Sequence, residues 1–215
     1  MVGYLSAAFF RGIPPQNVKF EAHAKELVPE EADTLLHLAY ESARTPPGSP
    51  LPILELRLFS PTLRAPGRAF VTLHRGNELR GCVGYVDAAR PLWETVALSA
   101  RAAAHEDSRF PPVEPEEMPE MTVEVSILGE PRLINRPEEV VTGRHGVIVS
   151  KEGRQGLLLP QAANEHGWDR ETMLSHACRK AGLPADAWKE GARIMVFEAQ
   201  IFQAEPGPTA LNGGS

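Results

Sequence analysis

Apolar positions along this chain recur at two spacings, one helical and one strand-like. Helical spacing first appears after Pro29, where Ala32, Leu35, Leu36, Ala39 and Ala43 fall three and four residues apart. Pro29 suits a first helical turn, and Glu30, Glu31 and Asp33 complement the positive end of the dipole. A second helix is predicted from Pro91, with Leu92, Val96, Ala100 and Ala103 on its buried face. A third opens at Asp169 as cap, carries Met173, Leu174, Ala177, Cys178 and Ala181 on one face, and stops at Gly182.

Strand-like stretches lie between these helices. Residues 53–59 form one candidate. Residues 69–75 and 78–83 read as a hairpin closed by Gly76-Asn77, a two-residue turn pair. Residues 122–128 alternate, with Val123, Val125 and Ile127 on one side. Residues 146–150 and 156–159 flank a turn at Lys151-Glu152-Gly153, and residues 193–202 make a closing strand. Hairpin-linked strands dominate and helices do not follow each strand. The predicted class is therefore α+β with a mainly antiparallel sheet and about three main helices, not a doubly wound sheet.

Composition narrows the classes of function. A net charge of −6 disfavours a nucleic-acid surface, which needs a basic footprint. No apolar run reaches the roughly 18 residues of a membrane span. The short run Tyr4 to Phe10 has no basic region before it, so a signal peptide is not expected. Cys82 and Cys178 are far apart and no CxxC pair exists, which suits a reducing, cytoplasmic setting. The 20 prolines punctuate loops near 46–52 and 111–119 instead of forming low complexity. Residues 1–27 show weak periodicity and read as an N-terminal extension, residues 28–203 as the main domain, and 204–215 as a flexible tail.

The chemistry concentrates in three places. Glu78-Leu79-Arg80-Gly81-Cys82-Val83-Gly84 sets a cysteine between two glycines, just after an arginine. Glycine in a strand admits close approach of backbone or ligand, and a neighbouring positive charge favours thiolate. With Gly76-Asn77 as the turn, the hairpin register sets Val71 opposite Cys82, with Ala69 and Leu73 as diagonal neighbours. That apolar setting would keep the thiol inert, whereas Arg80 on the same face would activate it. Cys178 belongs to a helix core face and reads as structural. The second place is His105-Glu106-Asp107-Ser108-Arg109-Phe110-Pro111-Pro112, a proline-pinned loop. Its plainer reading has Asp107 and Arg109 pairing or capping backbone while Phe110 plugs the core. The third is Gly143-Arg144-His145-Gly146, where His145 is either a base or a turn residue. His166 and Trp168 are candidates to line a pocket, or to pack in the core. No HxH, HExxH, GxSxG, P-loop or GxGxxG pattern occurs, so no metal site and no cofactor are expected.

Together these motifs resemble the AMMECR-type domain, also known as protein A of the AmmeMemoRadiSam gene set. The segments that carry the resemblance are Phe70-Val71-Thr72-Leu73, Glu78 to Gly84, and Glu106 to Pro112. They continue through Val123-Glu124-Val125-Ser126, Gly143 to Gly146, Gly156 to Gln161, Gly167-Trp168-Asp169 and Cys178 to Pro184. The resemblance implies a compact α+β fold of two unequal lobes, with the Arg-Gly-Cys-Val-Gly run near a cleft between them. It also implies work alongside a radical-SAM protein and a Memo-type protein, and it implies no reaction.

Two readings follow. In the first, the chain is a binding or accessory module whose cleft is formed by Arg80, Gly81, Gly84, His105, Asp107 and Arg109. In the alternative, it is a cysteine-dependent transferase or hydrolase, with Cys82 as nucleophile and His145 or His105 as base. The apolar neighbours expected around Cys82 favour the first.

Overall fold

The computed structural model describes residues 26–52 and 59–204. The first helix, α1 (Pro29–Ala43), has its proline in the first turn and Glu30 and Glu31 at the positive dipole end. Leu35, Leu38 and Ala39 are fully buried along it. A one-turn helix, α2 (Pro61–Arg64), precedes the hairpin β1 (Arg68–Arg75) and β2 (Glu78–Tyr85). Gly76 has φ +57° at the turn, a value that glycine adopts without steric cost. Helix α3 (Leu92–His105) follows with Pro91 as its N-cap, then β3 (Met121–Leu128). The last strand of this sheet, β8 (Ala199–Ala204), returns from the far end of the chain, and the strand order is β2-β1-β3-β8.

Among the described residues the chain divides into two units. One holds 26–52, 59–128 and 200–204; the other is Gly129–Ala199. The second unit builds its own antiparallel sheet from β4 (Arg132–Ile134), β5 (Gly146–Lys151), β6 (Arg154–Leu158) and β7 (Arg193–Phe197), in the order β4-β7-β5-β6. It also carries α4 (Pro160–His166) and α5 (Arg170–Lys180). Asp169 caps α5 as expected, its carboxylate accepting the Thr172 amide at 2.8 Å. The fold is α+β, with both sheets antiparallel.

Each sheet has one face under helices. In the first, Val71, Leu73, Val83, Val123, Val125 and Ile127 join α1 and α3 in one apolar cluster. In the second, Val147, Val149, Leu158 and Val196 pack with α5. Both units bring a helix backbone down onto a strand glycine. A side chain on Gly81 would strike the Ala103 carbonyl of α3, and one on Gly156 would strike the Ala177 carbonyl of α5. Both also cover a glycine with its cross-strand aromatic partner: Phe70 lies over Gly84, and Phe197 over Gly146.

Two sequence expectations change, and a third lies outside the described residues. The single closing strand over 193–202 is two strands, β7 and β8, which break at Glu198 and join different sheets. Strand β4 and helices α2 and α4 are additional; each is seven residues or shorter, too brief for periodicity to register. The strand expected over 53–59 falls almost wholly outside the described residues.

Candidate functional site

The hairpin register does not run straight. Arg75 pairs with Glu78 as expected, but the ladder shifts at Leu73/His74, where Leu73 faces Gly81 and His74 faces Leu79. Arg80 is left as the extra residue of a β-bulge. The shift sets Thr72, not Val71, opposite Cys82. Val71 faces Val83 in the helix-packed cluster, whereas Cys82 looks out of the other face of the sheet.

On that other face Cys82, Thr72 and Glu124 lie directly across three strands from one another. The Thr72 hydroxyl donates to Cys82 Sγ at 3.4 Å, and the Ser126 hydroxyl donates to Glu124 at 3.4 Å. Cys82 is 6% exposed and Thr72 7%. The thiol therefore sits in a buried polar row, not in the apolar setting expected for it.

The backbone of Cys82 is held separately. Among the described residues strand β2 lies at the edge of its sheet, so every second residue turns its N–H and C=O away from β1. Asp107 Oδ2 accepts the Cys82 N–H at 2.9 Å, and Arg109 Nη2 donates to the Cys82 carbonyl at 3.4 Å. Arg109 binds the same carboxylate through Nε at 2.8 Å and Nη2 at 2.5 Å. The Asp107 side chain is 1% exposed and that of Arg109 18%. Burial pushes the Asp107 carboxyl up, but the hydrogen bonds from Arg109 and the Cys82 amide outweigh it and hold the group below the ordinary carboxylate range. The loop after α3 thus takes the place a further strand would take, which is one way a native edge is blunted.

Arg80 is engaged elsewhere. Its guanidinium forks onto Glu117 at 3.2 and 2.9 Å and reaches the Pro111 carbonyl at 3.4 Å. Phe110, expected to plug the core, is instead half-buried, with the Arg109 guanidinium 5.0 Å from its ring centre. His105 Nε2 lies 2.9 Å from the Ala43 carbonyl and ties the end of α3 to the end of α1.

His145 belongs to the second unit and closes a turn. Its amide donates to the Val141 carbonyl at 2.9 Å, and its Nδ1 accepts the Val141 amide at 3.2 Å. Burial, followed by the Arg144 charge, lowers its pKa below the usual histidine value. Cys178 is fully buried in α5, and burial pushes its thiol up. Trp168 lies against two histidines, tilted to His166 at 4.7 Å and stacked on His176 at 4.1 Å.

Residues Cys82, Gly81, Gly84, Asp107 and Arg109 are therefore gathered at one strand edge, with Arg80 anchored alongside. Among the described residues, no group of three or more His, Cys, Asp or Glu side chains could hold a metal ion. No helix among them is long and apolar enough to cross a membrane.

The AMMECR1 family model matches residues 36–202. The chain belongs to the AMMECR1 family. Protein MK0488 of Methanopyrus kandleri is 48% identical over 146 residues, covering 63% of this chain and 70% of that protein. Protein MJ0810 of Methanocaldococcus jannaschii is 50% identical over 143 residues, covering 62% and 71%. The crystal structure of the uncharacterized protein PH0010 from Pyrococcus horikoshii matches with a TM-score of 0.73 at 38% identity, covering 83% of this chain and 95% of that one. For an AMMECR1 chain, the residues that sequence reasoning missed are Thr72, Glu117 and Glu124. Only the bulge brings Thr72 to Cys82, and no local signal in the hairpin announces a bulge.

Proposed function

We propose that this chain is a binding or accessory module working with a radical-SAM protein and a Memo-type protein. One observation carries the reading: Cys82, the best candidate nucleophile, is buried, hydrogen-bonded by Thr72 and clamped through its backbone by Asp107 and Arg109. A nucleophilic thiol needs a base within hydrogen-bond reach and a path to substrate. His105 instead meets the Ala43 carbonyl, and His145 accepts the Val141 amide through Nδ1. Groups so committed support a framework that presents a surface, and they favour that reading over cysteine-dependent transfer or hydrolysis. The gene context implied by the family supports the choice of partners.

The test is calorimetric titration of the chain with a radical-SAM protein and with a Memo-type protein. Saturable binding to at least one is expected, and a Cys82→Ser variant should bind equally well. Absence of binding to both overturns the proposal.

A further inference from the structure

The segment leaving the Asp107–Arg109 clamp is Phe110-Pro111-Pro112-Val113-Glu114-Pro115. Proline fixes its own φ near −65° and drives the residue before it into extended backbone. Those two effects act on Phe110, Pro111, Pro112, Glu114 and Pro115; residues 111–114 carry no regular helix or strand, and Pro115 opens a turn in which the Glu117 amide donates to the Glu114 carbonyl at 3.0 Å. Burial along the segment has a period of three. Phe110 is half-buried and Val113 is 4% exposed, whereas Pro111, Pro112, Glu114 and Pro115 are all exposed. Three residues per turn is the repeat of a polyproline II helix.

The segment is also held from several sides. Arg80 donates to the Pro111 carbonyl at 3.4 Å, and the Val113 amide donates to the Ala104 carbonyl at 2.8 Å. The Glu114 amide donates to Glu117 at 3.0 Å. Ordering a chain segment at an interface is costly, and a segment already fixed avoids that cost.

We infer that Pro111–Pro115 is a preformed proline-fixed ridge that docks into an aromatic-lined groove on a partner protein. Pro112 and Pro115, both exposed and three residues apart in the chain, have the spacing that such grooves recognise. Glu114 and Glu116 are exposed beside them, so the groove that fits has basic residues at its rim. This inference rests on the binding reading above and names the surface through which binding occurs.

The test titrates the full chain, with the radical-SAM protein and the Memo-type protein as probes. A Pro112→Ala/Pro115→Ala double variant should melt like the parent and bind about tenfold more weakly, the scale of losing interface anchors. Glu114→Lys, which removes no proline, should also weaken binding. Pro46→Ala/Pro47→Ala, on a separate exposed loop, should leave affinity unchanged. If the parent binds neither probe, the binding reading itself fails. Should the parent bind while the double variant and Glu114→Lys bind equally well, this inference fails and the binding reading stands. A control pair that weakens binding as much as the test pair overturns the inference too.

Discussion

Asp107 Oδ2 accepts the backbone N–H of Cys82 at 2.9 Å, joining two residues 25 positions apart in the chain. Through this bond a loop side chain serves the peptide group that a neighbouring strand would otherwise serve. Asp107→Ala removes one member of a buried ion pair and leaves the Cys82 amide unsatisfied. Stability should fall by about 3 kcal/mol in urea denaturation, the scale for breaking such a pair. A loss below about 0.5 kcal/mol, typical of a plain surface site, would show that the clamp contributes little.

Thiol labelling tests the same clamp from the other side. Cys82 and Cys178 are both buried, so native-state labelling near neutral pH should be slow for both, with Cys178 the slower. Asp107→Ala should speed labelling of Cys82 and leave Cys178 unaffected. Fast labelling of Cys82 in the parent protein would favour the enzyme reading instead.

The glycines should respond differently to a methyl group. At Gly81 the obstacle is the Ala103 carbonyl, part of the α3 backbone, and no side-chain movement can relieve it. At Gly84 the obstacle includes the Phe70 ring as well as the Ala69 carbonyl. Gly81→Ala should cost about 2–3 kcal/mol, the upper range for overpacking. Phe70→Leu should partly rescue Gly84→Ala, and no substitution at a side chain should rescue Gly81→Ala. Thermal melts of the single and double variants distinguish the two cases.

Stability should fall in two stages as pH is lowered. His145 and His176 both have lowered pKa values, chiefly because burial disfavours their charged forms. A depressed folded-state value means that the unfolded chain binds protons first. Their contribution is complete above the ordinary histidine value near 6.5 and declines as pH falls below it. Asp107, also lowered, should hold its contribution down to about pH 4 and lose it below that. Melting temperatures between pH 8 and 3 should show both limbs. The His145→Gln/His176→Gln pair should flatten the first limb, and Asp107→Asn the second; limbs unchanged in those variants would refute the assignment.

The three long helices were legible because their signals are local. Pro29, Pro91 and Asp169 mark starts, Gly182 marks an end, and the apolar spacing between them spans several turns. The Gly76-Asn77 turn and the alternation through Val123, Val125 and Ile127 located strands for the same reason. The conclusions α+β and AMMECR-type followed from those local patterns and from short motifs read in order. Cys82's surroundings could not be read that way. One extra residue, Arg80, shifts the hairpin ladder, and its place is tied to Glu117, 37 residues further on. Because strand side chains alternate with a period of two, that single slip exchanged Val71 for Thr72 beside the sulfur and turned an apolar setting into a polar row. The split of 193–204 into β7 and β8 was likewise decided by pairing, since β5 and β4 claim one half while β3 claims the other. Periodicity and capping act within a few residues and are written in the sequence. A bulge, a strand break and a side-chain clamp are chosen by contacts between distant segments, so they become definite only once the chain has folded.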